Sequence, residues 1–304
     1  MAEVKDKKTA KYEIDMVNGP LLSKLIVFSI PVLLQGILQL LFNAADIVVV
    51  GRFAGNTALA AVGATGSLVC LLLNLFMGLA TGTNVLVARY YGCNSEKDVK
   101  ETVSTSLYTA FFGGILLIFV GFFFSRPLLQ MMNTPYDVLD QAVLYMQIYF
   151  VGMPAQLIFT YCASVLRAIG DTRRPLYYLT FSGVINVILN MFFVIELKWD
   201  VAGVAWATTI SQTVATVMIV VLLLKLDTCY GIKPKELKFS NDKFIKMMKF
   251  GIPSGLQGCV FSISNVLIQS SINSFGSTAV AGSTAGANLE DFVYTAMTSI
   301  YTAA

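Results

Sequence analysis

Four polar residues in an otherwise oily stretch are the first places where this chain could do chemistry. Gln35, Gln39, Asn43 and Asp46 are separated by 4, 4 and 3 positions. At helical periodicity that spacing places all four within about 80° of one face. Asp46 is the charged member, and the 21 residues between Lys24 and Asp46 carry no charge. A carboxylate at the centre of a bilayer-spanning helix costs about 2.5–3.5 kcal/mol on insertion scales, so such a group marks an ion or proton pathway. Asp46 sits near the end of its stretch, where the cost is smaller. Asn186 and Asn190 stand one turn apart on a second uncharged stretch, and Thr208 adds a hydroxyl on a third. Each Asn offers a carbonyl oxygen and an amide donor. Two chemistries suit this set: a Na⁺ site of oxygen ligands at Asp46, Asn186, Asn190 and Thr208, or a hydrogen-bond network that detects protonation of Asp46. The same residue types also serve as hydrogen-bonding glue between helices, and for Gln35, Asn43 and the two asparagines both readings stand.

Tyr145, Tyr149, Phe150 and Met153 precede Pro154 and could line a cavity for a flat organic cation, although such stripes more commonly pack a helix. Glu290 and Asp291 form a second acidic pair in a later apolar stretch. Histidine is absent from the 304 residues. That removes histidine metal ligands, Ser-His-Asp and Cys-His catalysis and any histidine relay. No convergent nucleophile, base and metal set is apparent, so the chain does not read as an enzyme. The five cysteines form no C-x-x-C pair and read as free thiols. Net charge is +3 with no basic tract interleaved with aromatics, so nothing supports a nucleic-acid partner.

These residues need helices in a bilayer to hold them. Hydrophobic residues make up 56% of the chain and charged ones 13%, against roughly 25% in a soluble domain. Mean hydropathy is +0.71. Uncharged stretches at 25–45, 57–88, 102–125, 141–166, 175–195 and 201–224 are each long enough for a spanning helix, the first running on towards Val50. Their apolar residues do not alternate, which argues against a barrel. Phe250 to Leu289 is uncharged over 40 residues, and Gly276 and Ser277 divide it into a seventh span and an eighth. Pro31, Pro154 and Pro253 are expected to kink their helices. With the N-terminus in the cytoplasm, 18 of the 21 Lys and Arg residues fall on the inner side, leaving Arg52, Arg126 and Lys198 outside. That asymmetry sets the orientation by the positive-inside rule. The polar first residues lack the apolar core of a signal peptide.

The first and seventh spans resemble each other. Phe28-Ser-Ile-Pro31 returns as Phe250-Gly-Ile-Pro253, and Leu34-Gln-Gly36 as Leu256-Gln-Gly258, at an offset of 222. One deletion later, the segment from Gly55 to Ala60 returns as Gly276 to Ala281. Six spans between the copies preserve orientation, so the repeat is parallel, about an axis along the membrane normal. The expected organisation is an all-α polytopic membrane protein: a cytoplasmic segment (1–24), a six-helix N-lobe (25–224), a cytoplasmic inter-lobe loop (225–249) and the first two helices of a repeat-related C-lobe (250–304). A complete second half would run to about residue 446, so the missing C-lobe helices are expected from the full-length chain.

Four segments resemble the multidrug and toxic compound extrusion (MATE) family. They are Leu166-Arg-Ala-Ile-Gly-Asp-Thr-Arg-Arg-Pro175, Asp46-Ile-Val-Val-Val-Gly51 with Ala58-Leu-Ala-Ala-Val-Gly63, Asn186-Val-Ile-Leu-Asn190, and Gly203-Val-Ala-Trp-Ala-Thr208. The resemblance covers the whole chain and about two-thirds of a family member. It implies two six-helix lobes in the plasma membrane that export organic cations in exchange for H⁺ or Na⁺ by alternating access, with no cofactor beyond the coupling ion. It further implies that Asp46 is the N-lobe cavity acid, with Gln39, Asn186, Asn190 and Thr208 around it and a cavity tyrosine at Tyr145. Many relatives carry Asp where this chain has Asn190, and some carry an acid on the seventh helix near Phe261. Both departures leave Asp46 as the main coupling group. Two alternatives remain open: a flippase of lipid-linked sugars in the same superfamily, against which the absence of Lys and Arg within the N-half spans counts, and a non-transporting receptor or channel subunit, which would not explain the repeat.

Overall fold

A computed structural model describes Ile14 and residues 21–132, 136–273, 290 and 293–302. Lys5, Lys7, Lys8, Lys11, Asp291 and the break at Gly276 and Ser277 lie outside the described residues. The uncharged stretches become helices: α1 (Leu21–Val49), α2 (Asn56–Gly92), α3 (Glu96–Met131), α4 (Tyr136–Val151), α5 (Met153–Ala168), α6 (Arg173–Met191), α7 (Asp200–Lys225) and α8 (Asn241–Asn273). By length and apolarity α1, α2, α3, α6 and α7 each suffice to cross a membrane, and α4 with α5 forms one further span bent by 48°. With that pair taken as one span, residues 25–224 hold six segments long and apolar enough to cross a bilayer. The seventh begins within α8.

Burial is arranged for a bilayer. On α3, Phe111, Phe112, Leu116, Phe119, Phe122 and Phe123 face outward while Thr102, Ser104, Thr105 and Ser106 are buried. Apolar solvent removes the penalty for exposed phenylalanine. Thr102 and Thr105 satisfy their hydroxyls locally, Thr102 donating to the Asp98 carbonyl at 2.7 Å and Thr105 to that of Glu101 at 2.7 Å.

The fourth span breaks at Gly152 and Pro154, where Pro154 enters the first turn of α5. α3 accepts this corner at Gly114, where an added Cβ would come 2.8 Å from the Pro154 nitrogen. Pro31 and Pro253 lie inside α1 and α8, each of which continues without a break. One missing bond is a small part of the ladder in helices of 29 and 33 residues, and packing holds the rest.

Helix α6 lies between α1 and α7, α5 packs on α2, α3 and α7, and α8 runs along α2. Two helix contacts correspond under the sequence repeat. A Cβ on Gly36 of α1 would overlap Thr295, in the helical residues 293–302; one on Gly258 of α8 would meet Asn74 of α2 at 3.4 Å. Gly36 and Gly258 are repeat mates, and Thr295 and Asn74 match at the post-deletion offset of 221. Each half therefore sets its first helix against the second helix of the other.

Candidate functional site

The acid of the first span is held where α1, α6 and α7 meet. Gly183 on α6 lets α1 approach, since a Cβ there would overlap the ring of Phe42. With the helices this close, the Asn190 side-chain amide donates to the Asp46 carboxylate, and the same nitrogen lies 3.2 Å from Asn186 Oδ1. Asn186 in turn donates to Thr208 Oγ at 3.3 Å, and Thr208 lines the same cavity as Asp46. The set drawn from sequence thus closes into one network across three helices. Among the described residues Asp46 takes part in no salt bridge. A cavity of about 30 Å³ lies beside it, lined by Gln39, Phe42, Asn43, Asp46, Leu179, Ser182, Gly183, Asn186, Thr208, Ser211 and Gln212. That volume holds a water or a bare ion and is far too small for an organic cation.

The amide orientations bear on the chemistry. Asn190 presents its NH₂ group to Asp46, while its Oδ1 is buried with no partner among the described residues. Asn186 likewise spends its NH₂ on Thr208. A cation site would need these oxygens turned towards the carboxylate, and here a donor nitrogen occupies that side. In this arrangement the carboxylate is satisfied by a hydrogen-bond donor. Removing the donor by Asn190→Ala leaves the carboxylate undersolvated, and we expect the purified protein to lose about 1–3 kcal/mol of stability, read from its thermal unfolding in detergent.

Other sequence candidates divide. Gln39 and Asn43 line the cavity; Gln35 instead donates to the Thr172 carbonyl at 2.9 Å, tying α1 to the segment before α6. Tyr145 stacks on Tyr149, with centroids 5.9 Å apart, and stands outside both the network and the cavity lining. Phe150 and Met153 are fully buried in the core, so this part of the aromatic stripe packs rather than lines a cavity. Glu290 is exposed. Sequence reasoning passed over Ser182, Ser211 and Gln212. Ser182 lies one turn before Asn186, and Ser211 and Gln212 one turn beyond Thr208, so the same-face rule would have found them. No signal foretold the two π-helical turns at Val50–Ala54 and Phe192–Glu196, which begin four residues after Asp46 and two after Asn190. Such wide turns recur at functional sites.

Comparison with known proteins places this arrangement. The MatE family model matches residues 31–192. Probable multidrug resistance protein YpnP of Bacillus subtilis (strain 168) is 29% identical over 287 residues, covering 92% of this chain and 62% of its own. Probable multidrug resistance protein YoeA of the same strain is 30% identical over 264 residues, covering 84% and 57%. The chain therefore spans about three-fifths of the length of these curated relatives. Among solved structures, a MOP superfamily transporter from Pyrococcus furiosus superposes with a TM-score of 0.87 at 24% identity, covering 95% of this chain and 64% of that one. The relatives are transporters rather than enzymes. With more than half its length under the family model and the fold shared throughout, the chain belongs to the MatE family of multi-pass membrane transporters.

Proposed function

We propose that these residues form the proton-coupling half of an exporter that exchanges organic cations for H⁺ by alternating access of two lobes, with its basic end facing the cytoplasm. The observation that carries this reading is the Asp46–Asn190 pair beside a water-sized cavity. As a carboxylate, Asp46 accepts from the Asn190 amide. Once protonated it becomes a donor, and a half-turn of the amide offers it Asn190 Oδ1, which now has no partner among the described residues. Protonation thereby reverses one hydrogen bond and, through Asn186, the orientation of the bond to Thr208, so α6 and α7 feel the state of α1. The cavity beside Asp46 is too small for the cargo, which supports a substrate path elsewhere, between the lobes. The named relatives, described as multidrug resistance proteins, support an organic cation as cargo. Asn190 in place of an acid leaves Asp46 as the coupling group of this half.

The test is ethidium movement in everted vesicles containing the protein expressed from its complete reading frame. An imposed pH gradient is expected to drive ethidium transport, and a Na⁺ gradient at equal pH on the two sides is expected to drive none. Transport that responds to Na⁺ alone would replace the proton by the cation site. No transport under either gradient would remove the exporter reading.

A further inference from the structure

Away from Asp46, at the end of the bundle where the basic residues gather, a polar clasp joins the two repeat-related halves. Lys243, on the first turn of α8, has a side chain only 6% exposed. Its ammonium donates to Asp98 on the first turn of α3 and sits 4.3 Å from the centroid of the Tyr90 ring at the end of α2. Asp98 also accepts from the Ser95 hydroxyl. Just before α8, the strap at 238–240 is read backbone-to-side-chain by α3. The Ser104 hydroxyl donates to the Lys238 carbonyl at 2.8 Å and accepts from the Lys238 amide at 2.7 Å. The Ser240 amide donates to Thr105 Oγ at 3.1 Å. Two buried hydroxyls on successive positions thus act as a strand edge for a strap that has no sheet.

Apart from the Ser95–Asp98 bond, which steadies the carboxylate from its own helix, each of these contacts links α2 or α3 to α8 or the strap leading into it. Deeper along the same two helices, Gly78 and Gly82 of α2 meet Gly251 and Gly255 of α8 in backbone contact. Gly251 lies eight residues, or about 12 Å of helix rise, beyond Lys243. If α2 and α8 swing apart about the glycine contact, the clasp is the first thing to part. Its chemistry suits repeated opening. Asp98 is 35% exposed, and a cavity of about 660 Å³ lined by residues including Lys97, Lys100, Lys233 and Lys238 lies against the strap. Water can therefore reach the Asp98 carboxylate and the strap edge at Ser104, Lys238 and Ser240 and compete for their bonds there.

We propose that the Asp98–Lys243 pair and the Ser104–Thr105 strap form a latch that holds the basic end of the two halves closed and must release for that end to open. The proposal rests on the alternating-access reading above and adds the contact that controls one of its two states.

The test uses a single reporter, Met247→Cys, in a background lacking the five native cysteines. Met247 is 1% exposed, and its carbonyl meets Gly82 beneath the clasp. Labelling by a membrane-impermeant maleimide is followed from the basic face in everted vesicles. Asp98→Lys and Lys243→Asp are each expected to raise the labelling rate about tenfold, and the double exchange to bring it back within about threefold of the parent, because the pair then re-forms with its charges swapped. Parent-like labelling in both single variants overturns the latch. Raised labelling that the double exchange does not reverse also overturns it, since the fold has then loosened without regard to the pair. Labelling does not depend on transport. A protein that moves no ethidium yet shows rescue keeps the latch and loses the exporter reading, and one that transports with unchanged labelling does the reverse.

Discussion

Asp46→Asn is expected to abolish gradient-driven ethidium movement, a fall of about two orders of magnitude to the leak of empty vesicles, because the amide cannot take up or release a proton across the working pH range. The substitution keeps an oxygen in the place where Asn190 donates, so the α1–α6 contact and the cavity wall survive. The variant should therefore insert normally and unfold within a few degrees of the parent in detergent. It should also still bind ethidium at equilibrium, since the cavity beside Asp46 is too small to hold it. Loss of transport with retained folding and retained binding is the combination that identifies a coupling group. Wild-type rates in this variant under an imposed pH gradient would end the coupling scheme.

The largest structural effect is expected at the crossing of α2 and α8. A Cβ at Gly78 would overlap the Gly255 backbone, one at Gly251 would lie 2.6 Å from Leu79 Cα, and one at Gly82 would sit 3.0 Å from the Gly251 nitrogen. Without a hydrophobic force between helices in lipid, close backbone approach of this kind supplies much of the attraction. Gly82→Leu cannot be absorbed by a rotamer change, because the obstacle is backbone on the facing helix. We expect a loss of about 3 kcal/mol or more, at the upper end of overpacking effects, seen as a large drop in the detergent melting temperature. Gly92, at the exposed end of the same helix, has nothing within 4 Å of an added Cβ. Gly92→Leu is expected to stay within about 0.5 kcal/mol of the parent.

Much of the site was legible because it is periodic. The 4, 4, 3 spacing that ends at Asp46 and the one-turn interval from Asn186 to Asn190 both survive into the structure as helix faces that meet. Gln35 was placed on the right face, but its bond to Thr172 spans 137 positions and lies beyond any local rule. The aromatic stripe on the fourth span shows the limit differently. Spacing alone does not separate a cavity wall from a packing face, and the neighbours of Phe150 and Met153 made it packing. The three prolines were read by one rule, and only one of them stands at a break between helices. Pro154, with Gly152 beside it, opened a 48° bend, whereas Pro31 and Pro253 stayed within unbroken helices.

Composition and periodicity by themselves determined that the chain lives in a bilayer, which stretches of it are long and apolar enough to cross, that its first and seventh apolar stretches share a pattern, and which acid is out of place in oil. These are properties of the chain read against its solvent, and they need no knowledge of distant neighbours. Tertiary structure alone decided that Asn190 offers Asp46 a donor rather than an oxygen, that the adjoining hollow has room for a water but not for an organic cation, and that Lys243 reaches Asp98 across 145 positions. Each of those depends on which backbones come within van der Waals reach, and that was set by glycines at Gly183, Gly78 and Gly82, whose effect appears only when the facing helix is in place.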